Sequence, residues 1–449
     1  MNVGEIIDVN IDDYDHEGLG VAHIDNMPIF IPNAIPGEKV KIKINRITKN
    51  LAMADNLEII SKSKNRNANI CPYYELCGGC NIMHMNYNYQ LEFKKNITER
   101  TIRKVSGLNP VINNCSPNRD IYGYRNKIIV PFGMKDGNII SGFYEAKSHK
   151  IVDMDKCMIE PDLSREIIKY IKDLLLKYKL SIYDENTNKG LIRNVMLRVS
   201  SFGDVMVVLV ATSNFIQMKD ISSELKNKFE CIKSIYLNIN NKKTNVVLQD
   251  EYIHITGDKV LIEEINGLKF EVHPNSFLQI NHYQCEKMYE KAIELANITP
   301  NDVVIDAYCG IGSISLNLAK KAKYVYGIEI VKEAVENANR NMKLNNIENA
   351  SFICGKCEDE INRLVKDNKI DVIFFDPPRK GCDIKFLDTV INSKIKKIIY
   401  ISCKTSTFAR DIKYLCEHGY SVDQVTPFDL FSHSVHVETV TLMVSKPQK

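Results

Sequence analysis

At 449 residues, the chain has room for about two to four domains of ordinary size. Its 44% hydrophobic and 26% charged residues are those of an ordinary globular protein, and no stretch reaches the roughly 20 continuous apolar residues of a membrane span. The net charge of +3 excludes little, but thirteen cysteines, odd in number and scattered, argue against a disulfide framework and for a reducing, cytoplasmic compartment.

Residues 1–60 open with six acids and no Lys or Arg before residue 18, without the basic and apolar regions of a secretory leader. Short apolar runs follow ("VGEIIDVNI", "GVAHI", "MPIFIPNA", "GEKVKIKINRI", "LAMADNLEII"), separated by Gly18, Gly20 and Pro36-Gly37. Five short strands with tight turns predict a small OB-like β-barrel. The order "DHEGLGVAHIDNMPIFIPNAIPGEKVKIKI" resembles the TRAM domain, an RNA-binding barrel of several RNA-modifying enzymes. Basic residues gather at Lys39–Lys49, Lys62–Arg66 and Lys94–Lys104; such runs are either solvated faces or a surface for a polyanion.

Residues 61–265 read as a mixed α+β region. It begins with "CPYYELCGGC", in which Cys71, Cys77 and Cys80 fall within ten residues. The residues alone leave a zinc site, an iron–sulfur cluster and unligated thiols open, although the first spacing exceeds that usual for zinc. A helix over "YQLEFKKNITERTIRKVSG" ends at Gly107, and a second covers "PDLSREIIKYIKDLLLKYK". Strand-like runs include "GYRNKIIVPFG", "NVMLRVSSFGDVMVVLVAT", "SIYLNINN" and "TNVVLQDEYIHITG".

From 266 to 449, strands and amphipathic helices alternate, which predicts an α/β domain with a mostly parallel sheet covered on both faces and a terminal hairpin. Ligands of such sheets bind beyond the carboxyl ends of the strands. There "DAYCGIGSISLNLA" places Asp306, Gly310 and Gly312 on a strand–turn–helix, and Glu329 ends the next strand, where an acid can bind ribose hydroxyls. NAD is the rival ligand, but the third glycine of its fingerprint is missing; S-adenosylmethionine, which has no pyrophosphate, fits better. Asp376 precedes the rigid Pro377-Pro378, Cys403 ends a further strand, and Glu438 stands in the apolar run "HSVHVETVTL". A buried thiol is most often a small hydrophobe, and a strand carboxylate often faces solvent.

One reaction uses both. Carbon 5 of uracil is a poor nucleophile; a thiolate adding at carbon 6 makes it nucleophilic enough to accept a sulfonium methyl, and a base then removes the carbon 5 proton. The pieces "HPNSFLQIN", "DAYCGIGSISL", "DPPRKG", "YISCKTSTFARD" and "HVETV", in this order, closely resemble the RNA uracil-5-methyltransferases. The resemblance implies a Rossmann-like catalytic domain, Cys403 as nucleophile, Glu438 as base, cofactor contacts from Gln279, Tyr308, Glu329 and Asp376, and Phe277 stacked on a flipped base. Lys404-Thr405 stands where the family more often has Asn-Pro, which puts the local loop geometry in question. The resemblance also implies a [4Fe–4S] cluster on Cys71, Cys77, Cys80 and the distant Cys157. No step of the methyl transfer needs an electron, so the cluster's expected role is structural or RNA-positioning. Barrel and cluster together resemble the 23S ribosomal RNA branch; a transfer RNA enzyme is the alternative, and a noncatalytic RNA-binding protein a further one. A radical methylthiotransferase would need a Cys-x3-Cys-x2-Cys set, which is missing. Nothing in the sequence marks a membrane or an obligate protein partner.

Overall fold

In the computed structural model, which describes residues 1–68 and 70–446, the period-two pattern of the first segment becomes a six-stranded sheet. Across it run Ile6–Asn10, Lys39–Ile47, Ala52–Ser61, Met27–Ile31, Gly20–Ile24 and Asp13–Tyr14, the last a two-residue strand beyond the five expected. In Lys39–Ile47, Val40, Ile42 and Ile44 point inward to Ile29, Ile31 and Ala52 while Lys39 and Lys43 point outward.

The helix Tyr87–Ser106 starts where the Asn86 side chain accepts the Tyr89 N–H and stops at Gly107, whose φ of 75° the αL cap requires. A second six-stranded sheet follows, in the order Tyr252–Gly257, Ile232–Ile239, Val205–Ala211, Ile192–Val199, Lys127–Lys135 and Asn138–Ser141. Helices Asp162–Lys177 and Met218–Lys228 bury one face of it against Ile128, Val195 and Val207. The hairpin Leu261–Ile265 and Leu268–Val272 brings Leu261 onto the other face, beside Met196 and Tyr236. A domain division after residue 265 thus falls inside a hairpin.

The C-terminal sheet has eight strands, in the order Ala350–Cys354, Tyr324–Glu329, Val303–Ala307, Val372–Phe375, Lys397–Ser402, Glu438–Ser445, Tyr420–Phe428 and Val111–Ile112. The first five are parallel, and the terminal hairpin pairs antiparallel through Glu438–Ser445. Val111–Ile112, from the expected middle region, extends it. Apolar clusters cover both faces, around Phe270, Met288 and Phe374 on one side and Phe375, Phe386 and Tyr400 on the other. This is the α/β architecture the alternating pattern predicts. Among the described residues no helix is long and apolar enough to cross a membrane.

Candidate active site and thiol pocket

Because the strands are parallel, the residues that follow them meet along one edge. Tyr308 follows Val303–Ala307, Glu329 ends Tyr324–Glu329, Asp376 follows Val372–Phe375, and Cys403 follows Lys397–Ser402. Ser402 pairs with Thr439 in the antiparallel ladder, and the next step along it brings Cys403 and Glu438 to the same edge.

At one end of this edge the chain turns tightly. Gly312 has a φ of 84°, and a Cβ there would lie 2.8 Å from the Phe352 ring, so only glycine fits. Tyr308, at φ 63°, sits in the left-handed region sparsely used by bulky residues, its ring against Phe386. Glu329 is fixed by backbone donors: Gly310 N–H at 3.1 Å to Oε2, and Ile330 and Val331 N–H at 2.8 and 3.0 Å to Oε1. Asp306 is buried below them and accepts a 2.5 Å hydrogen bond from Ser315 Oγ, holding the following helix to the strand.

Further along, Gln279 Nε2 donates to Asp376 Oδ2 at 3.4 Å, and Asn126 Nδ2 holds the Gln279 carbonyl at 2.9 Å. Burial, with the neighbouring Asp306, pushes the Asp376 carboxyl up to about 7. Phe277, two residues before Gln279, is 72% exposed, which is unusual for a large apolar ring.

Cys403 is half-buried. Burial, then the carboxyls of Glu438 and Asp376, push its thiol up to about 12, against the pull of Arg379. Glu438 is 2% exposed, and its Oε2 has no hydrogen-bond partner among the described residues. Burial and Asp376 hold this carboxyl well above the usual range, with Arg379 and Lys94 opposing. At neutral pH the Cys403 thiol therefore carries its proton and the Glu438 carboxyl is shifted toward its protonated form; a cation brought among these groups and Asp376 would favour the charged forms.

Two contributors escape sequence reasoning. Arg379 was visible only as part of "DPPRKG". Lys94 reads as one of a basic surface run, yet it is wholly buried and ion-paired with Asp429. Other members of the basic runs are neutralised as well: Lys41 by Glu58, Arg66 by Glu38 and Arg100 by Asp13. These runs are not a uniform cationic face.

The other predicted cluster lies elsewhere. Cys71, Cys77, Cys80 and Cys157 line one small cavity with Met83, Phe143, Met154 and Ile159. Gly78 is pressed against the strand-like segment beyond it, its N–H donating to the Tyr144 carbonyl at 2.9 Å. Burial pushes the thiols of Cys80 and Cys157 up to about 12, each eased by Arg125. Among the described residues no three or more His, Cys, Asp and Glu side chains converge as the ligands of a single metal ion. A cubane cluster places a different requirement: each thiolate takes its own iron, so four sulfurs must surround a void rather than share one point. Cys71, Cys77, Cys80 and Cys157, sharing one small apolar cavity, supply the donor type and number that such a cluster takes.

Comparison with known proteins shows the family. The family model described as tRNA (Uracil-5-)-methyltransferase matches residues 86–446, and the TRAM domain model matches residues 1–57. An uncharacterized RNA methyltransferase of Listeria innocua is 41% identical over 99% of both chains. One of Clostridium acetobutylicum is 41% identical over 97% of this chain and 96% of its own. Among solved structures, the Pyrococcus abyssi tRNA (uracil-54, C5)-methyltransferase in complex with S-adenosyl-L-homocysteine superposes with a TM-score of 0.80 at 29% identity, covering 97% of this chain and 99% of its own.

Proposed function

Because the chain belongs to the RNA uracil-5-methyltransferase family and carries an N-terminal TRAM domain, we propose that it methylates carbon 5 of a uridine, with Cys403 as nucleophile and Glu438 as base. The observation that carries this is the meeting of an unpartnered, buried Glu438 with Cys403 at the end of two paired strands, beside Asp376.

The strand-end turn suits S-adenosylmethionine: Gly310 opens onto free space, and Glu329 stands where ribose hydroxyls would lie. Tyr308, Gln279 and Asp376 would complete its binding. When bound, the cofactor supplies an electrophilic methyl on a sulfonium, whose positive charge would draw the neighbouring carboxyls toward ionisation. Cys403 Sγ, its proton given up to solvent, then adds as thiolate to carbon 6 of the base, forming the S–C bond. The C5–C6 π pair moves toward the ring carbonyl to give an enolate that makes carbon 5 nucleophilic. Once carbon 5 holds the methyl, the Glu438 carboxylate takes the remaining proton there. The enolate re-forms and expels Cys403 as thiolate. The Phe277 ring would stack on a base turned out of its RNA strand, a role that its exposure supports.

The four cysteines would hold a [4Fe–4S] cluster. The loop that follows Cys80 supports a structural role: the Asn81 and Ile82 N–H groups both donate to the His433 carbonyl, at 3.0 and 3.1 Å, in the segment that leads to Glu438.

For the RNA, 23S ribosomal RNA is our first reading, resting on barrel and thiol set together. Transfer RNA is the second, favoured by the substrate of the Pyrococcus abyssi enzyme. That chain aligns over almost its whole length, so the N-terminal domain by itself does not separate the two. Cytoplasm is the compartment that fits either substrate. Transfer of labelled methyl to unmodified 23S ribosomal RNA and, separately, to transfer RNA, followed by nucleoside analysis, is the test. 5-Methyluridine in ribosomal RNA alone is the expected result; its absence from both would overturn the reading.

A further inference from the structure

Lys127 and Arg198 are direct partners in the antiparallel ladder between Lys127–Lys135 and Ile192–Val199. Opposite residues share one face of a sheet, and like charges placed so destabilise it. Both are also withdrawn from water: Arg198 is 2% exposed and Lys127 half-buried. Arg198 Nη2 donates to the Ser276 carbonyl at 2.8 Å, but its Nε and Nη1 have no partner among the described residues. Lys127 makes no side-chain hydrogen bond or ion pair among the described residues; burial, then Arg198, pulls its ammonium down to about 8. Glu263 lies near Arg198, but its Oε1 is occupied by the backbone N–H groups of Ser201 at 2.9 Å and Glu264 at 3.1 Å. Among the described residues, the fold therefore holds two facing cations with no carboxylate hydrogen-bonded to either.

Their place is informative. Arg198 holds Ser276, while Asn126, next to Lys127, donates from its side chain to the Gln279 carbonyl and from its backbone to Ile280 at 2.9 Å. Arg198 and Asn126, the residue before Lys127, thus brace the two ends of the short segment that carries Phe277. Cations that cost stability in the free protein are explained by an anion that arrives with the substrate. We infer that Lys127, with the buried Arg198 behind it adding positive potential, binds a backbone phosphate of the RNA next to the uridine that enters the site.

This rests on the RNA methyltransferase reading and deepens it. Lys127→Gln and Lys127→Glu would be titrated with a single-stranded, uridine-containing RNA oligonucleotide over a range of salt concentrations. Both should bind more weakly, with the slope of log affinity against log salt reduced by about 0.7, the share of one phosphate on a single strand. KM for RNA should rise several-fold, with kcat at saturating RNA and affinity for S-adenosylhomocysteine unchanged. Arg198→Lys, which keeps the charge but loses the Ser276 bond geometry, should keep the salt slope. An unchanged slope in both Lys127 variants would overturn the inference, as would a fall in melting temperature with RNA binding intact. If the wild-type protein makes no 5-methyluridine, the function fails, while the binding titration still decides whether the phosphate site exists.

Discussion

Lys94, on the helix Tyr87–Ser106, and Asp429, in the segment before Glu438, form an ion pair at 2.5 Å with both side chains wholly buried. Asp429 also accepts from Tyr87 Oη at 2.8 Å and Ser432 Oγ at 2.7 Å, and Lys94 donates to the Phe431 carbonyl at 3.0 Å. Gln90, one turn earlier on the same helix, accepts the His433 N–H at 3.0 Å. A helix far away in sequence thereby fixes the loop that delivers Glu438.

Breaking that pair on one side leaves the other charge buried without compensation, a loss of about 3–5 kcal/mol in comparable cases. Lys94→Met should therefore lower the melting temperature markedly and speed hydrogen exchange through residues 429–437. Methylation should fall while S-adenosylhomocysteine binding, proposed to centre on Glu329 and the Gly310 turn, persists. Calorimetric melting and exchange mass spectrometry check this.

Replacing either reacting group should stop the reaction at a different stage. Cys403→Ala should abolish product and leave RNA binding intact. Glu438→Gln should still form the bond to carbon 6 and, after methyl transfer, retain it, so a protein–RNA adduct accumulates on a denaturing gel. Turnover should drop about 10²–10⁴-fold, the usual contribution of a general base. Since the Glu438 carboxyl is held well above its usual range, the neutral glutamine should change stability little.

Asp376 is pushed up to about 7 by burial and by Asp306, against an unfolded value of about 4. Between these values the folded state binds the extra proton, so the free protein should lose stability as pH rises from about 4 to about 7 and level off above. Asp376→Asn should flatten this slope in melts taken across that range. S-adenosylmethionine should gain affinity over S-adenosylhomocysteine, whose thioether lacks the sulfonium charge, through the same interval, as the carboxylate forms to meet the sulfonium.

For the thiol pocket, anaerobically purified protein should contain iron and acid-labile sulfide in equal amounts. Cys157→Ala and Cys80→Ala should lose both. Because the thiols of Cys80 and Cys157 stand near 12 in the free pocket, loading must release protons and should weaken as pH falls. Zinc in place of iron would contradict the cluster.

The chain alone was enough for the alternation of strands and helices in the last 180 or so residues, since burial on both faces writes near-continuous apolar strands such as "DVIFF" between amphipathic helices. It also placed Glu329, Asp376 and Cys403 at strand ends, because parallel strands put their chemistry at one edge, while Tyr308 came from the resemblance. Spacing drew attention to three cysteines, and resemblance supplied Cys157. Only the tertiary structure decided which charges were surface and which were framework. Lys94 looks like its neighbours Lys95 and Arg100 in sequence, yet one turn of helix orientation and the return of Asp429 from 335 residues away bury it. The facing of Lys127 and Arg198 is likewise a matter of strand register, which local sequence does not encode. Periodicity records which side of an element is buried; it does not record what the buried side will meet.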